Sequence, residues 1–122
     1  MSRLRVDRLT DRPAELVTGE GRVLALRCHT ASSLGARLVG LLATPDLARD
    51  EALWLEPCSS VHTLALRAAI GCAFLDTDGR VLRVADPLPA WRAASVRGAR
   101  AVVECRAGVM EDLRCGDVLI RR

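Results

Sequence analysis

The sequence predicts a mainly β fold, with α+β as the alternative, built as an antiparallel β-sandwich or a partly closed barrel. Short apolar runs recur along the chain, and most connections between them have hairpin length. Apolar residues at helical spacing occur in one segment, so we expect one main helix near residues 32–43. Strand and helix patterns do not alternate, which disfavours a doubly wound nucleotide-binding sheet.

The clearest strand signals lie between residues 52 and 85. Residues 52–55 form an apolar run typical of a buried strand, and Glu56-Pro57 should interrupt the sheet because proline lacks a backbone donor. From Val61 the apolar pattern resumes on both faces. Residues 70–75 and 80–85 flank Asp78-Gly79, a strong hairpin signal, so we predict antiparallel neighbours.

Weaker signals complete the chain. Further strands are expected at residues 22–28, 99–106 and 118–120, with a helical turn at residues 109–113. The main helix should end near Thr44, because Pro45 follows, and residues 87–97 look like an irregular connection. We expect residues 1–20 to be a loosely held polar extension and residues 21–122 to be a single β-rich domain.

Composition excludes several functions. The chain has 122 residues, of which 50% are hydrophobic but only 2% aromatic, so platforms for stacking nucleic-acid bases are scarce. All 18 basic side chains are arginines, scattered among 15 acidic ones, and we expect no nucleic-acid partner.

No secretory signal or membrane-spanning run is present, and the five cysteines cannot all pair within one chain. We therefore expect a cytoplasmic protein with reduced thiols, no membrane partner and no cofactor.

These motifs together resemble the bacterial and archaeal family catalogued as domain of unknown function 192, over roughly residues 22–119. The residues that carry the resemblance are segments 37–42 (RLVGLL), 57–63 (PCSSVHT), 74–76 (FLD) and 79–81 (GRV), with Glu104, Gly108 and Gly116-Asp117. The resemblance implies a compact β-rich sandwich or barrel with a short helix, and no established activity. Relatives usually carry methionine at Leu66, proline near Ala69 and aspartate at Gly71, which puts a polar site that depends on that aspartate in question.

Two constellations of chemical groups argue weakly for catalysis or metal binding. Cys58 and His62 could form a nucleophile and base, but four residues along an extended strand span about 13 Å. Cys28, His29, Cys58 and His62 are residue types that bind zinc, yet no Cys-x-x-Cys or paired-His spacing organises them. We therefore assign no catalytic residue and no metal ligand.

Carboxylates offer a third constellation. Asp76 and Asp78 flank the predicted hairpin and are better explained by its turn than by acid-base chemistry. Glu104 interrupts an apolar strand, and we expect a structural ion pair with Arg67 or Arg92.

The sequence favours a non-catalytic or accessory binding module. A polar concavity is expected between residues 57–63 and 87–92, where hydroxyls and an imidazole follow a proline break. The occupant would be a small polar or anionic ligand, or a protein partner. The alternatives are a small enzyme that uses His62 with Cys58 or a carboxylate, and a protein-interaction module that acts through a strand edge. The predicted ligand-binding residues are Ser59, Ser60, His62, Thr63, Arg67, Trp91, Arg92 and Glu104.

Overall fold

The computed structural model describes residues 14–31, 47–62, 69–89 and 92–122. They form nine strands: β1 (Ala14–Thr18), β2 (Val23–Ala31), β3 (Glu51–Leu55), β4 (Ser60–His62), β5 (Ile70–Leu75), β6 (Val81–Leu88), β7 (Ala93–Ser95), β8 (Ala101–Arg106) and β9 (Leu119–Arg121). The predicted mainly β class is confirmed. These four ranges contain no α-helix, and hence none long and apolar enough to cross a bilayer. The main helix expected near residues 32–43 lies outside the described residues.

Seven strands form one sheet in the order β6-β5-β8-β3-β2-β1-β9, and β4 pairs with β7 in a separate two-stranded sheet. Every pair is antiparallel except β2 and β3, which run parallel with His29 beside Leu53. Parallel neighbours need a long crossover connection, and residues 32–50 supply it. The expectation of a purely antiparallel sheet is wrong at this pair, because periodicity reveals a strand but not its direction.

The edges of the large sheet meet at one end, so the sheet curls into a half-barrel. Arg80 and Val118 form an antiparallel bridge, and Leu119 N donates to Gly79 O at 2.9 Å beside it. Gly79 has a φ of 81°, and a Cβ there would stand 2.6 Å from Leu119 O. Glycine is therefore required on both conformational and steric grounds. Of the two predicted architectures, the partly closed barrel describes this sheet.

Apolar side chains cover both faces of the central strands. In β3, Ala52 and Trp54 belong to one core cluster, whereas Leu53 and Leu55 belong to the other, as a period of two requires. The first cluster draws residues from all the strands of the large sheet and fills the inside of its curl. The second is covered by Val61 of β4 and Ala94 of β7. The two-stranded sheet is thus fixed to the body of the protein by its inward-facing side chains.

Two strands lie where the sequence analysis expected none. β1 falls within the polar extension at residues 1–20, and it joins the sheet because Leu16 and Val17 are buried. β7 falls within the connection at residues 87–97, where β6 also continues to Leu88. At residues 106–113, successive turns replace the expected helical turn, with Val109 N donating to Arg106 O at 3.2 Å.

Candidate functional site

The predicted site region forms the two-stranded sheet of β4 and β7. Their register pairs Ser60 with Ser95, Val61 with Ala94, and His62 with Ala93. Val61 and Ala94 are buried in the core, so the side chains of Ser60, Ala93 and Ser95, which are exposed, belong to the opposite face. The outer face of this sheet is therefore polar, and its inner face packs against the core.

Ser60 and Ser95 are close neighbours across this ladder. Val96 N donates to Ser59 O at 3.0 Å, so Ser59 and Val96 form a hydrogen-bonded pair of the ladder. The two kinds of pair alternate along an antiparallel ladder, so the next pair, Ser60 with Ser95, is a non-hydrogen-bonded pair. Side chains lie closest together in pairs of the second kind. The hydroxyl groups consequently share one face of the ladder, beside a shallow hollow of about 290 Å³ lined by Ser60, Val61, Ala93, Ala94 and Ser95. We call the face that carries Ser60 and Ser95 the serine surface.

The structure divides the predicted ligand-binding residues into three groups. Ser59, Ser60 and Arg92 are exposed on or next to the serine surface. His62 occupies a position on β4, but its side chain lies outside the described part of the structure, as do Thr63, Arg67 and Trp91 in full. Glu104 is fully buried on β8, where its neighbours across the sheet are Leu53 and Cys72. Glu104 therefore does not reach the serine surface.

The thiol of Cys58 is engaged at the edge of this surface. Cys58 Sγ lies 3.0 Å from Ser60 O and donates to it, while Cys58 N donates to Arg100 O at 2.9 Å. This contact holds the Cys58 side chain against the backbone of β4.

Two further carboxylates weighed for acid-base chemistry lie at the β5–β6 turn. Asp76 Oδ1 accepts hydrogen bonds from Arg80 N at 3.0 Å and Asp78 N at 2.8 Å, and these bonds lower the pKa of the Asp76 carboxyl group. The turn thus accounts for Asp76, as the sequence analysis preferred.

A buried polar cluster was not predicted from the sequence. Glu51 is fully buried, with its Oε2 atom 3.3 Å from His29 Nε2, and its Oε1 atom accepts a hydrogen bond from Ala48 N at 3.0 Å. Arg27 binds Asp50 through two hydrogen bonds of 2.8 and 3.2 Å, which lowers the pKa of the Asp50 carboxyl group. The cluster holds the chain where it enters β3. The feature of the sequence that could have revealed this cluster is the pair of charged residues, Asp50-Glu51, directly before an apolar run.

From the sequence, His29 is a candidate only as a metal ligand, together with Cys28, Cys58 and His62. The two residues face opposite sides of β2: Cys28 belongs to the core inside the curl, whereas His29 contacts Glu51. Within the described residues, no group of three or more histidine, cysteine or acidic side chains could hold a metal ion.

Another open cleft, larger than the hollow beside the serine surface, lies where the sheet edges meet. It has a volume of about 500 Å³ and is lined by Thr18, Gly19, Glu20, Arg22, Asp112, Arg114, Gly116, Asp117 and Val118. Arg22 Nη1 lies 3.7 Å from Asp112 Oδ2, and Asp117 Oδ2 accepts a hydrogen bond from the backbone N of Arg114 at 2.9 Å. Because the charged residues that line it are of both signs, size alone does not make this cleft the better site.

Gly71 is the position where the resemblance implies an aspartate. The carboxylate of Asp86, on the neighbouring strand β6, lies 2.8 Å from where a Cβ of residue 71 would stand. It accepts hydrogen bonds from Gly108 N and Met110 N, both at 2.8 Å. A carboxylate is therefore present beside position 71, but it caps the turn at residues 106–113.

The structure is that of a small mainly β protein, in which a two-stranded sheet covers one face of a half-barrel sheet. The chain belongs to the DUF192 family, described as "Uncharacterized ACR", whose profile matches residues 15–120. The family resemblance stated from the sequence is thereby confirmed. No curated protein matches the chain.

Two solved structures share the fold. One is a protein of unknown function from Novosphingobium aromaticivorans DSM 12444, with a TM-score of 0.71 and 20% identity, covering 88% of this chain and 83% of that one. The other, from Sinorhizobium meliloti 1021, is described as a candidate transcription regulator; its TM-score is 0.73 and its identity 19%, with coverage of 88% and 91%. At these identities the likeness concerns the fold alone.

Proposed function

We propose that this protein is a small non-catalytic binding module that recognises a polar ligand at the serine surface. The observation that carries the proposal is the pairing of Ser60 and Ser95 on one exposed face beside a hollow of about 290 Å³. Two hydroxyls that share a face can each donate and accept a hydrogen bond to one small molecule. The backbone of Ser60 and Ser95 is held in place because their neighbours along the strands, Val61 and Ala94, are buried in the core.

Rigid support matters for recognition. Polar groups fixed by a packed framework lose little conformational entropy when they bind, so a shallow site can still be selective. The Cys58 thiol contacts the Ser60 carbonyl oxygen, which supports binding rather than covalent chemistry. These features support a module that binds without transforming its ligand.

A second candidate function is protein interaction through a strand edge. In the described part of the chain, β4 and β7 pair only with each other, so each strand has an outer edge. The Ser60–Ser95 pairing directs the backbone N–H groups of these residues toward the two edges rather than across the ladder. An added strand could bind there by β-augmentation.

The test is a titration of ¹⁵N-labelled protein with ribose, a neutral polyhydroxyl probe, and with inorganic phosphate, monitored by amide chemical shifts. Saturable shifts centred on Ser60 and Ser95 with either probe are expected. Ser60→Ala should weaken the binding about fivefold, because one hydrogen bond contributes about 1 kcal/mol. Thr77→Ala, which removes an exposed hydroxyl from the β5–β6 turn, is the matched control. Shifts confined to other regions would overturn the proposal.

A further inference from the structure

We infer that the cleft where the sheet edges meet binds a small zwitterion, a molecule that carries one ammonium and one carboxylate group, such as a short amino acid. The site shares no lining residue with the hollow beside the serine surface, and the inference goes beyond the proposed function. The cleft has a volume of about 500 Å³, within the usual range of small-molecule sites. One wall consists of residues 18–22, which connect β1 to β2, and the other of residues 112–118, which lead into β9.

Hydrogen bonds fix the backbone of the cleft. Gly19 N donates to Val118 O at 2.9 Å, and this bond ties one wall to the other. Within the first wall, Thr18 N donates to Arg22 O at 2.8 Å, and Thr18 Oγ1 accepts a hydrogen bond from Arg22 N at 3.1 Å. Because these backbone groups are bonded within the protein, recognition of a ligand falls to side chains that stand on a framework already in place.

Charged side chains of both signs line the cleft, and the contacts between them are loose. Arg22 Nη1 and Asp112 Oδ2 are 3.7 Å apart, which is too far for a hydrogen bond, so both groups keep donors and acceptors for a ligand. Among the described residues, the side chains of Glu20 and Arg114 have no hydrogen-bond or ion-pair partner, and they do not pair with each other. Two opposite charges in one cleft are therefore unpaired, and a ligand that carries both signs can contact both.

A ligand with a single charge fits this lining less well. An anion would be attracted by the two arginines but repelled by the acidic side chains, and a cation would meet the reverse. A zwitterion can place its carboxylate against a guanidinium group and its ammonium group against a carboxylate, and both contacts are charge-assisted hydrogen bonds. Among the lining residues that the structure describes, Val118 alone has an apolar side chain, so we expect a short ligand without a bulky apolar group.

The experiment titrates ¹⁵N-labelled protein with glycine, β-alanine and γ-aminobutyrate, three zwitterions in which the distance between the two charges increases. Each is added up to about 100 mM at constant ionic strength, which reveals a Kd as weak as about 10 mM. At least one of them should give saturable amide shifts at Gly19, Glu20, Gly116 and Asp117. Sodium acetate and methylammonium chloride, whose organic ions carry only one of the two charges, should bind at least about tenfold more weakly.

Single variants test the two unpaired side chains. Glu20→Gln and Arg114→Gln should each weaken binding of the best zwitterion about tenfold, because each removes a charge-assisted hydrogen bond. Glu111→Gln and Arg97→Gln are the matched controls, since both residues are exposed and neither lines the cleft. The controls change the net charge by the same amounts and should leave binding unchanged. All four variants should unfold at the wild-type temperature, because all four positions are exposed.

The inference is overturned if none of the three zwitterions gives saturable shifts at the cleft, or if acetate or methylammonium binds there as tightly as the best of them. An equal loss of binding in the controls and in the test variants would show unspecific attraction and would also overturn it. Zwitterion shifts centred on Ser60 and Ser95 would overturn it in favour of the serine surface. Because ribose and phosphate test the proposed function at those other residues, either claim can fail without the other.

Discussion

The carboxylate of Asp86 occupies the space that a side chain at Gly71 would need. A Cβ at residue 71 would stand 2.8 Å from both Cγ and Oδ2 of Asp86, closer than such atoms approach in folded proteins. Because two backbone hydrogen bonds of 2.8 Å hold that carboxylate, it cannot easily move aside. Glycine at position 71 and aspartate at position 86 therefore depend on each other.

This dependence predicts that Gly71→Ala destabilises the fold by about 1–3 kcal/mol, the usual cost of overpacking. The measurement is the free energy of unfolding in urea. Gly19→Ala is the matched control and should cost less, because a Cβ there would meet Val118 at an ordinary 3.6 Å. Combining Gly71→Ala with Asp86→Ala should cost less than the sum of the single changes, since the clash disappears with the carboxylate. Additive costs would contradict the steric account.

Closure of the half-barrel at Gly79 gives a second prediction. Gly79→Ala should destabilise the protein by about 1–3 kcal/mol more than Gly21→Ala, as measured by urea unfolding. Both glycines have positive φ, 81° and 92°, so both changes share the conformational penalty. Only at residue 79 would the new Cβ meet a backbone atom, Leu119 O, at 2.6 Å, whereas nothing lies within 4 Å at residue 21. Equal effects would mean that the closing contact contributes nothing.

The buried cluster around Glu51 should be essential for stability. Glu51→Ala removes the acceptor for Ala48 N and the partner of His29, and each buried polar group left without its hydrogen bond typically costs about 1–3 kcal/mol. Glu51→Gln keeps an acceptor oxygen and should cost roughly half as much. Glu20→Gln, at an exposed position, serves as the control for loss of a carboxylate charge. An Ala variant as stable as that control would refute the structural role of the cluster.

The buried thiols predict a decline of stability in alkali. Burial raises the pKa of Cys28 and Cys72 to about 12 and that of Cys105 well above its ordinary value of 9.0. A raised pKa in the folded state means that stability is complete below about pH 9 and is lost as pH rises toward 12. Each thiol should remove about 1.4 kcal/mol per pH unit in this window.

The sequence is well suited to this measurement, because it contains no lysine and no tyrosine to titrate in the same range. Urea unfolding at pH 8, 9 and 10 should show the decline. Cys72→Ala should reduce its slope by about one third, since it removes one of three buried thiols. Cys115→Ser, at an exposed thiol, should leave the slope unchanged. A stability that is constant over this range would contradict the burial of the thiols.

Much of the fold was accessible from periodicity and turn chemistry. The apolar run of β3 and the Asp78-Gly79 turn between β5 and β6 carry strong local signals, and both are found in the structure. The short strands β1 and β7 were missed because each has few residues and a polar neighbourhood. Their pairing is fixed by contacts with distant parts of the chain, and the parallel direction of β3 beside β2 is equally non-local.

The site was predictable only in part, for a related reason. The proline break drew attention to Ser59 and Ser60, but Ser95 becomes relevant only through its register with Ser60. Glu104 looked like a site residue because a carboxylate interrupts an apolar strand, yet alternation places it on a face covered by the core.

The most direct test of the serine surface as the binding site is a crystal structure of protein purified without added phosphate or sulfate and then soaked in inorganic phosphate. We expect electron density for the anion within hydrogen-bond distance of the Ser60 and Ser95 hydroxyls. Density for phosphate only in the cleft lined by Arg22 and Arg114, with water alone in the hollow between β4 and β7, would contradict it.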